Sequence, residues 1–393
     1  MRILMASHAY PPTVSGVTLV VQKVARAMVA RGHAVTIICG SDGDQPYRDE
    51  DEGVRLVRVR GLSNPWWKET TIPFINRKEL DEIVDEVRPE ILHAHEAFLL
   101  ALRLLRVKRD LGLPTLATAY YVPRFAARYV TWDTEPKNSV ESIVWAYTTW
   151  VFNQFDHIAF ATKAHRDAFL SEGLKAPTTI ISNGIDTERY SPVANGDGDV
   201  QARYGLPPGP RILFVSRLMR DKEIDILIEA MPRVYAGRQA HLLLAGRGDD
   251  RPRLEKLVDD LGLRHCVHFL GFVTEEDMPA LYRVVDVFAI ASLYEVQSLP
   301  TLQALATALP VVAANAVALP EIVHDGVNGF LVPPADPEAM AGAILRILGD
   351  GDLAARMGQA GLKLVQPHAE SHTFDQYEAL YRQALSGPAG LSP

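Results

Sequence analysis

Short apolar runs alternate along this chain with longer segments in which apolar residues recur every three or four positions. A short run bounded by turn residues is typical of a buried strand, and the longer pattern is typical of an amphipathic helix. In the first helical segment, Val20, Val21, Val24 and Met28 keep this spacing, and Gly32 is placed to end the helix. Strands and helices that alternate in this way predict an α/β fold with parallel sheets.

The alternation occurs in both halves of the chain. The strands predicted in the first half are RILMA, AVTII, VRLVRV, EILHA, TLATA, HIAFA and TTIIS. Those predicted in the second half are RILFVS, HLLLAG, CVHFLG, VFAIA, PVVAA and GFLVPP. The intervening segment SPVANGDGDVQARYGLPPGP is rich in Gly, Pro and Asp, which is typical of a linker. We therefore predict one Rossmann-like domain over residues 1–190 and a second over residues 191–369.

A last helix is predicted over residues 370–386. Its residues Phe374, Tyr377, Leu380 and Tyr381 share one apolar face, so we expect it to pack back on the first domain. Two doubly wound domains are expected to face a cleft. Ligands of such sheets bind at the carboxyl ends of the strands, so functional residues are expected in the loops that follow strands.

The composition narrows the possible functions. The chain has 393 residues and a formal net charge of −8, which argues against a nucleic-acid-binding protein. Its two cysteines, Cys39 and Cys266, fall in different halves and suggest no disulfide framework. No apolar stretch reaches membrane-spanning length, and the apolar run at the N-terminus is too short for a secretion signal. We expect a cytoplasmic protein, with peripheral contact at the inner face of the membrane left open.

Two cations follow the first strand of the second half, namely Arg217 and Lys222 in SRLMRDKEIDILI. In a loop at the carboxyl edge of a sheet they are suited to bind a diphosphate, Arg through its planar fork and Lys as a point charge. On their own they fit a pair of solvated surface charges equally well.

The segment LYEVQSLPTLQALATALPVVAAN adds a third feature. A helix is predicted to begin near Ser298 and Leu299, and the first N–H groups of a helix favour an anion. Glu295, just before that start, is suited to accept hydrogen bonds from sugar hydroxyls, although a helix cap is its simpler interpretation. The two cations, the helix start and the acid together predict a site for a nucleoside diphosphate sugar.

These segments also carry a family resemblance. SRLMRDKEIDILIEA, LLLAGRGDD, HFLGFV, VFAIASLYEVQSLPTLQALATALPVVA and EIVHDGVNGFLVPPAD resemble the donor half of a retaining family 4 glycosyltransferase with the GT-B fold. SHAYPPTVSGVTLVVQKVARAMVARGH and IISNGIDTERYSP are similar to its N-terminal half. The resemblance implies that Arg217 and Lys222 bind the donor diphosphate and that Glu295 holds the transferred sugar. It also implies that residue 303 contacts the ribose and that Gly16 lets the backbone approach the phosphates.

The chain departs from the family pattern at three positions. The family's E-x7-E motif falls on Glu295 and Gln303, so an amide replaces the second acid. Tyr120 stands where many relatives have a His near the reacting sugar, and Glu223 stands where a Gly is usual. A phenol does not serve as the same base at neutral pH. These changes leave open a second function, a nucleotide-sugar-binding protein with weakened or lost catalysis.

Four further motifs have simpler structural explanations than a functional site. GRGDD, beginning at Gly246, lacks the third glycine of a dinucleotide fingerprint, so we predict a tight turn beside the donor. HAHE offers no third metal ligand at suitable spacing, and we expect His95 and Glu96 on the acceptor side. The DGD turns at 42–44, 197–199 and 350–352 are not expected to bind a metal. The aromatic segments NPWWKETTIPF and SIVWAYTTWVFNQF suit either a core or a lipid surface.

The sequence thus leads us to expect a metal-independent hexosyltransferase that acts with retention. Its donor is expected to be a UDP- or GDP-linked sugar, and no further cofactor is expected. The acceptor hydroxyl is expected on a lipid such as diacylglycerol, on a lipid-linked glycan or on a small molecule. A phosphorylase with a related fold would need a pyridoxal phosphate lysine, for which no motif is present.

Overall fold

The chain divides into two compact units in a computed structural model that describes residues 1–13, 15–43, 45–63, 71–122, 138–193 and 199–387. Unit 1 comprises Met1–Asn183 with Ser371–Pro393, and unit 2 comprises Gly184–Glu370. The division falls after Asn183, whereas the sequence suggested residue 190.

Unit 1 is built on a nine-stranded sheet with the order β3-β4-β2-β1-β6-β7-β8-β9, in which β5 pairs with β4. Its strands are β1 (Arg2–Ser7), β2 (Ala34–Gly40), β3 (Tyr47–Asp51), β4 (Val54–Ser63), β5 (Thr71–Phe74), β6 (Ile91–His95), β7 (Thr115–Ala119), β8 (His157–Phe160) and β9 (Thr178–Ile180). Its first helices are α1 (Gly16–Ala30), α2 (Arg77–Val87), α3 (Leu99–Leu111), α4 (Asn138–Phe152) and α5 (Lys163–Ser171). All strand pairs are parallel except those of β3 and β5 with β4.

Unit 2 is built on a six-stranded parallel sheet with the order β12-β11-β10-β13-β14-β15. Its strands are β10 (Arg211–Val215), β11 (His241–Ala245), β12 (Val267–Gly271), β13 (Val287–Ile290), β14 (Val311–Ala314) and β15 (Gly329–Val332). Its helices are α6 (Val200–Arg203), α7 (Ile224–Arg238), α8 (Arg251–Asp260), α9 (Met278–Arg283), α10 (Leu299–Ala306), α11 (Pro337–Gly349) and α12 (Gly351–Val365). The short helix α6 lies in the segment that we interpreted as a linker.

The last helix, α13 (Glu370–Leu385), packs on unit 1. Tyr377 and Tyr381 are buried, and the hydroxyl of Thr373 donates to the carbonyl of Ser182 at 2.9 Å. Arg31, at the end of α1, forms an ion pair with Asp375 at 2.6 Å. Apolar burial on one face and charge pairing beside it therefore hold this helix in place.

Strand order reverses once within each sheet, and these reversals decide where polar loops meet. In unit 2 the chain runs outward from β10 in one direction and returns to its other side with β13. In unit 1 the same reversal lies between β1 and β6. Loops that follow the two strands at a reversal diverge, and the crevice between them is the usual ligand site of such sheets.

Among the described residues, we find no helix that combines the length and the apolar character needed to cross a membrane. Trp66 and Trp67, which belong to one of the two aromatic segments, lie outside the described residues.

Candidate functional site

Two glycines bring the loop after β11 against the loop after β10. Gly246 has a φ of +146°, and a Cβ on it would lie 1.8 Å from the carbonyl oxygen of Ser216. A Cβ on Gly248 would lie 2.2 Å from the carbonyl oxygen of Leu218. The N–H of Leu218 donates to the carbonyl of Arg247 at 2.9 Å. The GRGDD segment therefore forms a tight turn, and the turn fixes the loop that carries the two predicted cations.

Lys222 lies at the end of a short 3-10 turn, Arg220–Lys222, in that loop. Its Nζ atom is 2.7 Å from Oε1 of Glu295, and the two side chains are only 12% and 13% exposed. Nζ also lies 3.4 Å from Oδ2 of the buried Asp221. The next residue, Glu223, has a φ of 48°, a left-handed conformation in which glycine is the unstrained residue.

Electrostatics keep this pair ionised. Burial alone would raise the pKa of Glu295, but the charge and hydrogen bond of Lys222 outweigh burial and lower the pKa. Burial alone would lower the pKa of Lys222, but the charges of Glu295 and Asp221 outweigh burial and raise the pKa. The positive charge of Arg217 makes a smaller, lowering contribution to the pKa of each group and does not reverse the net rise for Lys222. The structure therefore brings Lys222 and Glu295 into contact and places Arg217 near enough for its charge to act on both.

The helix start is also at this edge of the sheet. Helix α10 begins at Leu299, and Ser298 caps it by accepting a hydrogen bond from the N–H of Thr301 at 3.3 Å. Glu295 does not cap this helix through its carboxylate, because that group faces Lys222. The simpler interpretation of Glu295 as a cap is therefore wrong.

Gln303 lies in α10 and has a defined partner. The hydroxyl of the buried Tyr282 donates to Oε1 of Gln303 at 2.9 Å. This contact uses one of the two lone pairs of the amide oxygen, and the NH₂ group is the donor of the side chain. No pattern in the sequence points to this tyrosine as a partner of Gln303.

The first helix of unit 1 begins at Gly16. A Cβ on Gly16 would meet no described atom within 4 Å, and its φ is not in the left-handed region. Packing of the described residues thus does not require a glycine here.

Tyr120, predicted near the reacting sugar, lies close to His95 and Glu96, which were predicted on the acceptor side. The hydroxyl of Tyr120 is 3.1 Å from Nδ1 of His95, and both side chains are buried. Burial raises the pKa of Tyr120 well above its usual value, so this phenol is neutral. Glu96 follows directly, with a carboxyl whose pKa is raised by burial to about 8.

His93 contacts both His95 and side chains of α13. The ring of His93 lies 4.0 Å from that of His95, centroid to centroid. Its Nδ1 is 2.7 Å from the hydroxyl of Tyr381, and its Nε2 is 2.8 Å from Oγ1 of Thr118. The hydroxyl of Tyr377 lies 3.1 Å from the same Thr118 atom. The sequence predicts only a packing face for both tyrosines, because their i, i+4 spacing gives no sign of a polar partner.

Over the described residues, no three or more His, Cys, Asp or Glu side chains are grouped so that they could hold a metal ion. Asp350, in the last DGD turn, caps α12 by accepting a hydrogen bond from the N–H of Leu353 at 2.9 Å. Parts of the other two DGD turns lie outside the described residues.

Two family models match the chain. The Glycosyltransferase Family 4 model matches residues 14–189, and the Glycosyl transferases group 1 model matches residues 209–350. An uncharacterized glycosyltransferase of Methanocaldococcus jannaschii is 28% identical over 359 residues, which cover 89% of this chain and 90% of that protein.

A second relative and a solved structure extend the comparison. A GDP-mannose-dependent alpha-(1-6)-phosphatidylinositol monomannoside mannosyltransferase of Mycobacterium tuberculosis is 26% identical over 375 residues, 93% of each chain. Sucrose-phosphate synthase from Thermosynechococcus elongatus superimposes with a TM-score of 0.81 at 22% identity, over 98% of this chain and 99% of that one. The chain belongs to the family 4 glycosyltransferases and has their GT-B fold of two Rossmann-like domains.

Proposed function

We propose that this chain moves a hexose from a UDP- or GDP-linked sugar to an acceptor hydroxyl, with retention at the anomeric carbon and without a metal ion. The observation that carries this proposal is the cluster of Arg217, Lys222 and Glu295 at the strand reversal of unit 2. In this proposal unit 2 binds the donor and unit 1 binds the acceptor.

The ion pair is a resting arrangement that the donor replaces. The diphosphate takes the place of the Glu295 carboxylate beside Lys222 and also pairs with Arg217. Glu295 is then released to accept hydrogen bonds from hydroxyls of the transferred sugar. The backbone at Ser298 and Leu299, where α10 begins, adds the favourable end of a helix dipole.

The chemistry follows from where charge develops. The bond between the anomeric carbon and the diphosphate oxygen breaks, and its electron pair stays on the diphosphate. Arg217 and Lys222 stabilise that growing charge, which is the role that a metal ion plays in other transferases. The acceptor oxygen bonds to the same face of the anomeric carbon, and its proton passes to the departing phosphate oxygen.

Tyr120 takes no proton in this scheme. Its hydroxyl is buried and hydrogen-bonded to His95, and its pKa is raised. Tyr120 therefore stays neutral and holds His95 in place. Gln303 contacts the ribose through its NH₂ group, while its oxygen accepts a hydrogen bond from Tyr282. An amide lacks the charge of the family's glutamate, so the nucleotide is bound more weakly.

The acceptor is proposed to be a lipid or a lipid-linked glycan, reached by peripheral contact with a membrane. Ile143, Tyr147 and Trp150 follow helical spacing along α4 and are all exposed, Trp150 by 55%. Such an apolar stripe is suited to rest on lipid. The mycobacterial relative is itself named for a phosphatidylinositol-linked acceptor.

The test has two parts. A thermal-shift screen with UDP, GDP and ADP should show stabilisation by one of the first two, because a ligand of the folded state raises its stability. Release of nucleoside diphosphate from UDP- and GDP-hexoses should follow and should persist in EDTA. Lys222→Met should abolish both effects, whereas Lys256→Met on the exposed surface of α8 should change neither.

A second function is favoured by the contacts of Gln303 and Tyr120. Binding of a nucleotide sugar with no release of nucleoside diphosphate from any donor would identify a binding protein that has lost turnover. Stabilisation by none of the three nucleotides would contradict both functions.

A further inference from the structure

The strand reversal of unit 1 brings together two loops that end in polar residues. Strands β1 and β6 are parallel neighbours, with Ser7 opposite His95. His8 and Glu96 are the next residues in each strand's loop. Glu96 has a φ of 117°, a conformation that a non-glycine residue adopts only when its surroundings impose it. Its N–H donates to the carbonyl of Thr118 at 3.1 Å, which fixes the turn.

Three buried polar atoms at this position have no hydrogen-bond partner among the described residues. They are Nδ1 of His8, Nε2 of His95 and Oε2 of Glu96. All three side chains line one pocket, together with Phe98. Buried polar groups are nearly always paired in folded proteins, so three of them around one space point to a missing polar ligand.

The surrounding contacts hold these groups in place. Nδ1 of His95 is occupied by the hydroxyl of Tyr120, so only Nε2 remains for a ligand. The Glu96 carboxyl accepts a hydrogen bond from the backbone N–H of His8. The ring of His8 lies edge-on to that of Phe98 at 5.7 Å.

The size and charge of the pocket define its ligand. Its free volume of about 10 Å³ is about that of one water-sized group. Burial raises the pKa of Glu96 to about 8 and lowers the pKa of His8 to about 4 and of His95 to about 3. At neutral pH the three groups are uncharged, and between them they both donate and accept hydrogen bonds. A hydroxyl matches this set, whereas a phosphate or a cation does not.

An apolar face borders the pocket. Phe98 is 39% exposed and its ring stacks on Tyr121 at 5.1 Å with an angle of 2° between the planes. A few polar groups beside an aromatic surface are the usual composition of a small-molecule site. The carbon-bound hydrogens of a sugar or cyclitol ring pack well on such a surface.

We propose that His8, His95 and Glu96 bind one hydroxyl of a neutral polyol ring, and that Phe98 contacts the carbon face of that ring. The inference rests on the proposed function, since this ring belongs to the acceptor. The polyol is either a free sugar or cyclitol or the headgroup of a lipid. A diacylglycerol with no ring does not use this pocket.

Direct binding tests the pocket without turnover. Saturation-transfer NMR with methyl α-glucoside and myo-inositol should show ring protons close to the protein, and Glu96→Ala should reduce the signal at least fivefold. Glu96→Gln should keep most of the signal, because an amide is also uncharged and both donates and accepts. Glu82→Gln on the exposed face of α2 is the matched control. Absence of signal from both compounds with the wild type, or equal signals with Glu96→Ala, would overturn the proposal.

Enzyme assays distinguish a failure of the polyol pocket from a failure of the proposed donor site. Glu96→Ala should raise the KM for the polyol acceptor at least tenfold and leave the thermal shift by nucleotide unchanged. Phosphatidylcholine vesicles that carry a lipid with a polyol headgroup, phosphatidylcholine vesicles that carry diacylglycerol and the free polyol distinguish the acceptor sources. An unchanged KM for the polyol in Glu96→Ala, or diacylglycerol accepted as well as either polyol, would contradict the pocket. If the wild type binds polyol but no nucleotide, the donor proposal fails and the pocket stands.

Discussion

The ammonium of Lys222 lies 2.7 Å from the carboxylate of Glu295, across the strand reversal of unit 2. Lys222 comes from the loop after β10 and Glu295 from the loop after β13, and these strands are parallel neighbours. Neither charge is well exposed, so each depends on the other in the absence of ligand. A ligand that carries both a diphosphate and sugar hydroxyls offers each group a new partner.

Removal of the Lys222 charge alone should therefore lower the free energy of unfolding more than removal of both the Lys222 and the Glu295 charges. We expect Lys222→Met to destabilise unit 2 by about 3–5 kcal/mol, because Glu295 stays buried without its principal counter-charge. The double variant Lys222→Met/Glu295→Leu should regain most of this loss. Urea unfolding at pH 7 measures both variants, and a double variant no more stable than the single one would argue against the coupling.

Two glycines should respond differently to alanine. Gly246→Ala should destabilise unit 2 by roughly 2–4 kcal/mol, since the added Cβ overlaps the carbonyl of Ser216 and φ is positive. Gly16→Ala should leave the unfolding midpoint almost unchanged. If Gly16 serves the donor phosphates, the same variant should still lower transfer at least fivefold. Unchanged transfer in Gly16→Ala would remove that residue from the donor site.

The amide in α10 should limit nucleotide affinity. We expect Gln303→Glu to tighten nucleoside diphosphate binding about 3- to 10-fold, because a carboxylate forms a charge-assisted hydrogen bond with the ribose. Tyr282 still donates to the new side chain, so the fold should be kept. Calorimetric titration with UDP and GDP measures the change. No gain in affinity would mean that residue 303 does not contact the ribose.

The carboxyl of Glu96 should make stability depend on pH in an unusual direction. Its pKa is about 8 in the folded chain against an ordinary value of 4.5, so the folded state holds a proton that the unfolded state has lost between these values. The free energy of unfolding then falls as pH rises through this window, by at most about 1.4 kcal/mol per pH unit. Glu96→Gln removes this contribution.

Urea unfolding from pH 5 to pH 8 measures the contribution of the Glu96 carboxyl to the pH dependence of stability. The stability of Glu96→Gln relative to the wild type should rise with pH, whereas that of Glu82→Gln should stay constant. His8 and His95 titrate in the opposite sense, because burial lowers their pKa values and stability is lost as pH falls below 6.5. A constant difference for Glu96→Gln would show that its carboxyl is ionised in the folded chain at pH 5 to 8.

The exposed stripe on α4 should govern contact with lipid. We expect the double variant Ile143→Ser/Trp150→Ser to lose most of its co-sedimentation with lipid vesicles. Its unfolding midpoint should stay near that of the wild type, since both side chains are exposed. Leu170→Ser on α5, also exposed, is the matched control. Equal sedimentation of the double variant and the wild type would separate this stripe from membrane contact.

Most strands were predictable because buried parallel strands leave a continuous apolar signature. Strands β3 and β5 were missed for a physical reason. The five residues of β3 are charged or exposed, and β5 has only four residues, one of them proline. Both pair antiparallel with β4, away from the central strands, so cross-strand pairing decides their conformation and intrinsic preference does not.

The gathering of Arg217, Lys222 and Glu295 was predictable from topology. Arg217, Lys222 and Glu295 each follow a strand, and loops after parallel strands gather at one edge of the sheet. The ion pair between Lys222 and Glu295 was not predictable, because no local pattern records a contact across 73 positions. For the same reason, Tyr282 could not be assigned to Gln303.

The amino-acid sequence by itself determined the α/β architecture, the family and the residues that gather at the carboxyl edge of the sheet of unit 2. Hydrophobic periodicity and turn preference depend on residues that are close together in the chain, so they can be read from the sequence. The tertiary structure alone decided the partners of each polar group, including the joining of His8 to Glu96 and of His93 to Tyr381. Such contacts depend on strand order and on the burial of one element against another, and these are settled only when the whole chain has packed.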